Sequence, residues 1–290
     1  MLSLTVKAPA KINLCLKLIG ERSDGYTDIW SVVQTVSLFD EIDIEKKESG
    51  LSLSSNDSSI PLNESNTVAK AWAVMCQVVG TELGAKIHIG KRIPPQSGLG
   101  GGSSDAAAVL IGLCKLYDIQ IDFPTLAKIG AAVGSDVPLF FGTGTSIITG
   151  RGEKVQNIGL DQNYSLFLVK PHYGMSTARA YNIAKKGLTK GRTGNIIASL
   201  QPPASAIEAC RIGNDLEPVF LNEYPGAADI IEKLRSMGAD YSALTGSGSG
   251  FYGFFTDEEA SRKAAESFEK LWCQPVKPIS LRELHDGYIG

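Results

Sequence analysis

Apolar and polar residues alternate over Leu4–Ile19, with Ile12, Leu14, Leu16 and Leu18 on one face and Lys11, Asn13, Cys15 and Lys17 on the other. A period of two predicts a strand. Further strands are expected over 29–38, 41–46, 51–54 and 85–90, with Asp24-Gly25 as the turn before the first of these. Ser65 or Asn66 can cap a helix running to Val79. Over 104–117, Ala106, Ala107, Leu110, Leu113, Cys114 and Tyr117 fall on one stripe, so a helix is predicted there. Another is expected over Thr125–Val133, followed by strands at 146–149 and 166–169.

The last third repeats the mixture. Helices are predicted over 177–186 and 226–237, and strands over 241–245 and 251–255. Thr256-Asp257-Glu258-Glu259 reads as the capping box of a helix to about Leu271. Strands and helices do not alternate strictly, which predicts an α+β fold with mixed or antiparallel sheets packed by helices. At about 150 residues per domain, 290 residues suggest two domains. A boundary is expected near residue 155, giving 1–155 and 156–290.

Composition narrows the function classes. With 28 basic and 31 acidic side chains the net charge is −3, so no bulk electrostatic case exists for nucleic acid or an anionic membrane as the main partner. The longest uncharged stretch, Tyr241–Thr256, is 16 residues and is broken by four glycines. A membrane-spanning helix needs about 20 apolar residues. The start of the chain lacks a basic segment ahead of an apolar run, so no secretion signal is expected. Five scattered cysteines without a CxxC pair fit a reducing compartment, and a cytoplasmic location is expected. His88, His172 and His285 lie far apart, giving no local support to a metal site or a Ser-His-Asp triad.

Glycine is in excess, 31 of 290, and it is clustered. Gly98-Leu99-Gly100-Gly101-Gly102-Ser103-Ser104 runs straight into the predicted 104–117 helix. Glycines let the backbone turn its N–H groups inward, and a helix N-terminus adds unpaired donors and a partial positive charge. Such a loop suits a phosphate. It is not a Walker A loop, since no lysine follows the glycines at the required place. A literal G-x-G-x-x-G occurs at 248–253, but it runs into a predicted strand and not a helix, so a dinucleotide reading is discounted.

Pro94-Pro95-Gln96-Ser97-Gly98-Leu99-Gly100-Gly101-Gly102-Ser103-Ser104 resembles the ATP loop of the GHMP kinase superfamily. Pro9-Ala10-Lys11-Ile12-Asn13-Leu14, Asp24-Gly25-Tyr26 and Gly134-Ser135-Asp136-Val137-Pro138 narrow the likeness. So do Gly150-Arg151-Gly152-Glu153, Asn214-Asp215-Leu216-Glu217 and the 245–250 loop. Together they resemble the branch whose acceptor is a methylerythritol carrying a cytidine diphosphate.

The resemblance implies a two-domain GHMP-kinase-like fold with the active site in the cleft between domains. It implies ATP as phosphoryl donor with Mg²⁺, and Lys11 and Asp136 as the catalytic pair. Residues 94–104 would hold ATP, and Asn66, opening a helix, is a further ATP-side candidate. Phosphoryl transfer needs positioning, charge neutralisation and a destination for the acceptor's proton. Asp136 stands in an otherwise apolar stretch, where a carboxylate is costly unless paired, and Lys11 is the expected partner. Asn13 shares a strand face with Lys11.

Tyr26 and Tyr181 fall where the family stacks the cytosine ring. Thr27 stands where the family commonly has His, which leaves the mode of base recognition open. Thr177 is a weaker candidate around the same substrate. No metal ligand is named beyond Ser104. The alternatives are a GHMP kinase for a homoserine- or mevalonate-type alcohol, or a non-catalytic nucleotide-binding protein on the same fold. Oligomeric state is not legible.

Overall fold

Thr27–Lys46 forms one strand of 20 residues, β2, where two shorter strands were expected. In this computed structural model, which describes residues 2–187, 201–264, 267–268 and 270–281, β2 organises the first half of the chain. The nearly as long β1 (Ser3–Glu21) pairs antiparallel along one edge of it. On the other edge β4 (Ala85–Gly90) pairs with residues 41–46, and β5 (Thr145–Gly150) pairs with residues 29–34. β3 (Leu51–Ser55) adds in parallel outside β4, and β6 (Lys154–Asn157) adds antiparallel outside β5.

Three register shifts in the β1–β2 pairing, at Pro9/Ala10, Asn13/Cys15 and Leu18/Gly20, overturn the expected single face. An extra residue in a strand at such a shift exchanges its faces. Val6, Ala8, Leu16 and Leu18 belong to one apolar core, whereas Ala10, Ile12 and Leu14 belong to a second core behind the sheet. The odd-numbered Lys11 and Asn13 are thereby turned toward the first core's side, although both lie in a strand buried on both faces.

Helices α1 (Thr67–Val79), α2 (Gly101–Leu116) and α3 (Phe123–Val133) cover that side. Asn66, not Ser65, caps α1, accepting from the Val68 N–H at 2.8 Å. α2 starts three residues earlier than its apolar stripe suggested, and it is buried around nearly its whole circumference. A helix enclosed all round shows no stripe edge to mark its start. A 3₁₀ turn, Val137–Phe141, closes the layer.

The second half is built on an antiparallel sheet in the order β10 (Trp272–Val276), β7 (Ser165–Lys170), β9 (Phe251–Phe255), β8 (Tyr241–Leu244). Helices α4 (Thr177–Gly187), α5 (Ala206–Ile212), α6 (Glu217–Glu223), α7 (Ala228–Ser236) and α8 (Glu258–Ala264) accompany it. Helices α5 and α6, strands β6 and β10 and the 3₁₀ turn were not anticipated. The expected capping box does not form: Asp257 accepts from the Glu259 N–H, while the Thr256 hydroxyl donates to Asp240. α8 ends at Ala264, and residues 265, 266 and 269 of the longer helix expected there lie outside the described residues, as does His285.

The two halves are joined through β1. Leu16 N–H donates to the Gly213 carbonyl, Asp215 N–H donates to the Leu16 carbonyl, and the buried Tyr252 hydroxyl donates to the Leu14 carbonyl. Among the described residues no helix is long and apolar enough to cross a membrane.

Candidate active site

Gly98, Gly100 and Gln96 all have positive φ, at 77°, 73° and 55°. The chain therefore folds back on itself before α2, and the Lys11 N–H ties it to β1 by donating to the Leu99 carbonyl at 2.9 Å. Ser97 fixes the loop from within: its hydroxyl donates to the Pro94 carbonyl at 2.7 Å. The second glycine loop, 245–250, lies directly against the first. Gly250 N–H donates to the Ser97 carbonyl at 2.8 Å, and a Cβ on Gly98 would stand 2.6 Å from the Thr245 carbonyl oxygen. Glycine at 98 and 250 is what allows two backbones to touch.

α2 has Gly100 as its N-cap, and no side chain caps it. Its first N–H groups have no partner within the helix, which makes this end a seat for an anion. Neither Ser103 nor Ser104 caps the helix. Both lie inside the first turns, and Gly100 to Ser103 line a cleft of about 820 Å³.

That cleft gathers the residues singled out from sequence. Lys11, Asn13, Tyr26, Thr27, Asn66, Pro94 through Ser103, Asp136, Thr177 and Tyr181 all line it. Ser104 is the exception: it is buried, is not part of the cleft wall, and its hydroxyl is enclosed without a partner. No metal role is assigned to Ser104 on this geometry. Among the described residues no group of three or more His, Cys, Asp or Glu could hold a metal either.

Lys11 is the centre of the cleft, 5% exposed. Its ammonium donates to Asn13 Oδ1 at 2.6 Å and faces Asp136 Oδ2 at 3.7 Å, an ion pair without a full hydrogen bond. Burial lowers the Lys11 pKa from its ordinary value, and the Asp136 charge opposes that shift. Asp136 stands just before the 3₁₀ turn and caps nothing. Gly152 approaches from the other side, where a Cβ would be 3.0 Å from Asp136 Oδ1.

Two residues expected to touch ligands are already committed to the protein. Asn13 donates from Nδ2 to the Ser31 hydroxyl at 2.7 Å while accepting from Lys11, and its N–H donates to the Thr245 hydroxyl at 2.8 Å. It holds Lys11 in place. Asn66 caps α1 with its oxygen and donates from Nδ2 to the Pro61 carbonyl at 2.6 Å.

The far end of the cleft is aromatic and basic. Tyr26 is 55% exposed, held by its N–H to Asp24 Oδ1 at 3.1 Å, and the Arg151 guanidinium covers its ring at 4.8 Å. Burial, and after it the Asp136 charge, push the Tyr181 phenol pKa up. Thr27 Oγ1 is buried with no partner. Thr177 shares a hydrogen bond of 2.9 Å with Ser247 of the second glycine loop. Lys91, Asp105, Arg151 and Lys185 also line the cleft. None was singled out from sequence, although Arg151 lies in the quoted Gly150–Glu153 segment.

Two glycine loops back to back, an anion seat at a helix start and a buried lysine–aspartate pair define a phosphotransferase of the GHMP kinase class. The N-terminal domain of GHMP kinases matches residues 66–144, and their C-terminal domain matches residues 198–272. The chain belongs to the 4-diphosphocytidyl-2-C-methyl-D-erythritol kinase family. A member from Thermodesulfovibrio yellowstonii is 36% identical over 95% of this chain and 98% of its own length. One from Pelotomaculum thermopropionicum is 35% identical over 92% and 94%. A crystal structure of 4-(cytidine 5'-diphospho)-2C-methyl-D-erythritol kinase superposes with a TM-score of 0.75 and 27% identity, covering 95% of this chain and 100% of that one. Homoserine kinase from Cytophaga hutchinsonii shares the fold, with a TM-score of 0.73 at 20% identity over 96% of this chain and 95% of its own.

Proposed function

We propose that the protein transfers the γ-phosphoryl group of ATP to the 2-hydroxyl of 4-diphosphocytidyl-2-C-methyl-D-erythritol, a step of the methylerythritol phosphate route to isoprenoid precursors. The observation that carries the reading is the Lys11–Asp136 pair, set in one cleft between the glycine loop and Tyr26. In this reading residues 94–103 cradle the triphosphate and the α2 N-terminus neutralises its charge. Asp136 accepts the hydroxyl proton as the acceptor oxygen attacks in line. Lys11, steadied by Asn13, stabilises charge on the transferring group. Bound with the nucleotide, Mg²⁺ would supply further charge neutralisation; no side chain is assigned to it.

Tyr26 and Tyr181 stack the cytosine, with Thr27 and Thr177 beside it. Arg151 and Lys185 bring positive charge to the same end, where a diphosphate must pass. The phosphate-side residues 94–103 lie within 1–155, whereas the acceptor end draws on both parts of the chain, with Tyr26, Thr27 and Arg151 from the first and Thr177, Tyr181 and Lys185 from the second. The expected boundary at 155 falls inside β6, and five free cysteines fit a reducing cytoplasm. The test is turnover with ATP and Mg²⁺ across candidate alcohols. Turnover of homoserine or mevalonate in place of the cytidine substrate would replace the acceptor assignment, and ATP binding without any turnover would replace the catalytic one.

A further inference from the structure

Beneath the phosphate loop lies a charged cluster that phosphoryl transfer does not use. Lys91 follows β4 directly, and its ammonium donates to the Asp40 carboxylate of β2 and, at 2.9 Å, to Asp105 Oδ2 of α2. All three side chains are closed off from solvent, at 6%, 0% and 3% exposure. Asp40 Oδ1 also accepts the Arg92 and Ile93 N–H groups at 2.6 and 2.8 Å. Asp40 thus holds three donors, whereas Asp105 has Lys91 alone and its Oδ1 has no partner.

One cation and two carboxylates in an enclosed space carry a net negative charge unless they share a proton. Asp105, with fewer donors, is the place for it. Burial pushes its pKa up to about 8, with Lys91 opposing the rise and Asp40 adding to it. The surroundings add little. On the α1 side the Thr67 hydroxyl donates to the Gly102 carbonyl, and on the β1 side Lys11 lies against Gly100. Asp57, in the segment after β3, acts on Lys91 from further out.

The cluster touches the phosphate seat. Lys91 and Asp105 line the cleft, and a Cβ on Gly101, the first residue of α2, would stand 3.1 Å from the Lys91 ammonium. A charge on Asp105 is therefore about one helical turn from the helix start, with little water between to screen it. An ionised Asp105 opposes an incoming polyphosphate, and a neutral one does not.

We propose that Asp105 is a positioning residue that couples nucleotide binding to a proton: the neutral carboxyl is the form that receives ATP, and binding at alkaline pH draws a proton from solvent onto Asp105. The only bond formed is the carboxyl O–H. The proposal rests on the reading of 98–104 as the phosphate loop.

Calorimetric titration of the full chain with MgADP, in two buffers of different ionisation enthalpy, counts the protons taken up. A nucleotide phosphate loses its last proton near pH 6 and contributes little above pH 8. At pH 8.5 the wild type is expected to take up about half a proton or more per nucleotide, falling toward zero at pH 7. Asp105→Asn, an isostere of the neutral form, takes up none and keeps its affinity between pH 7 and 9.5, while the wild type weakens about fivefold to tenfold. Asp40→Asn leaves Asp105 as the sole carboxylate on Lys91 and holds it ionised, so uptake vanishes by the opposite route. Equal uptake in the wild type and both variants, or none in any of them, overturns the proposal and leaves the phosphate loop standing. Failure of all three to bind MgADP removes both.

Discussion

The Lys11 ammonium lies 3.7 Å from the Asp136 carboxylate, while its direct hydrogen bond, 2.6 Å long, goes to Asn13. The carboxylate is thus close enough to act on the lysine electrostatically yet keeps its oxygens open to the cleft. Asp136→Asn should lower kcat about 10²- to 10⁴-fold, the usual worth of a positioned general base, with little change in the KM for ATP. Unchanged kcat would make Asp136 dispensable.

The same pair gives a titration with a defined sign. The Lys11 pKa is lowered by burial and held up in part by Asp136, so the unfolded state binds more protons on the alkaline side and stability rises with pH there. Removing the Asp136 charge should lower the Lys11 pKa further. Lysine-selective NMR reads this directly: Lys11 titrates below the ordinary 10.5 in wild type and lower still in Asp136→Asn. A Lys11 pKa that rises in the variant would contradict the assigned coupling.

Gly100→Val should act on catalysis more than on folding. Its φ of 73° is strained for a side chain, and a Cβ there would stand 2.8 Å from Lys11 Cγ and 3.3 Å from the Phe140 ring. Gly80 has nearly the same φ, 74°, with nothing within 4 Å. Gly80→Ala should therefore cost only the backbone strain, about 1–2 kcal/mol, and leave kcat alone. Equal losses of activity in the two variants would show that the loop contact with Lys11 does not matter.

Much of this site was legible because its residues sit in local segments whose chemistry is unusual. Four glycines before a helix, or an aspartate among apolar neighbours, stand out in one dimension. Asn13 and Asn66 were singled out for the ligands, and both line the cleft, but nothing local shows their bonds to Lys11, Ser31, Thr245 and Pro61. The face of β1 was misread for a similar reason. A register shift is a matter of pairing with β2, and the alternation of Ile12 through Leu18 carries no trace of it. Lys91, Asp40 and Asp105 come together from a loop, a strand and a helix, so their cluster is visible only once the sheet has formed. The first turn of α2, Gly101 to Ser103, was missed because glycine is a poor helix former and gives no local sign of a helix.

Base recognition should separate from ATP binding at Tyr26. Stacking of a base on an aromatic ring is worth about 1–3 kcal/mol, so Tyr26→Ala should raise the KM for the cytidine substrate roughly 5- to 150-fold, with Tyr26→Phe near wild type. Thr27 supplies the companion test. Its buried hydroxyl has no partner in the protein, so Thr27→Val should not lower the melting temperature. A rise of about fivefold in the acceptor KM alone would show that the substrate takes up that hydroxyl. Parallel changes in the KM for ATP in either variant would place these residues outside the acceptor site.

Asp105→Asn carries a stability prediction that needs no ligand. The folded-state pKa of Asp105 is raised to about 8 from an ordinary 3.8, so the folded chain binds a proton that the unfolded chain has lost. The stability tied to that proton is full below about pH 4 and falls as pH rises, by at most about 1.4 kcal/mol per pH unit, until it levels off above pH 8. The asparagine variant has no such proton and keeps the same neutral shape against Lys91 and Asp40. Denaturant melts of the two proteins should nearly coincide below about pH 4, and the variant should gain steadily to pH 8 and hold a constant lead above it. Other titrating groups are common to both chains and cancel in the difference. A gap that stays flat from pH 5 to pH 9 would mean that Asp105 is ionised throughout, with Lys91 serving both carboxylates at once.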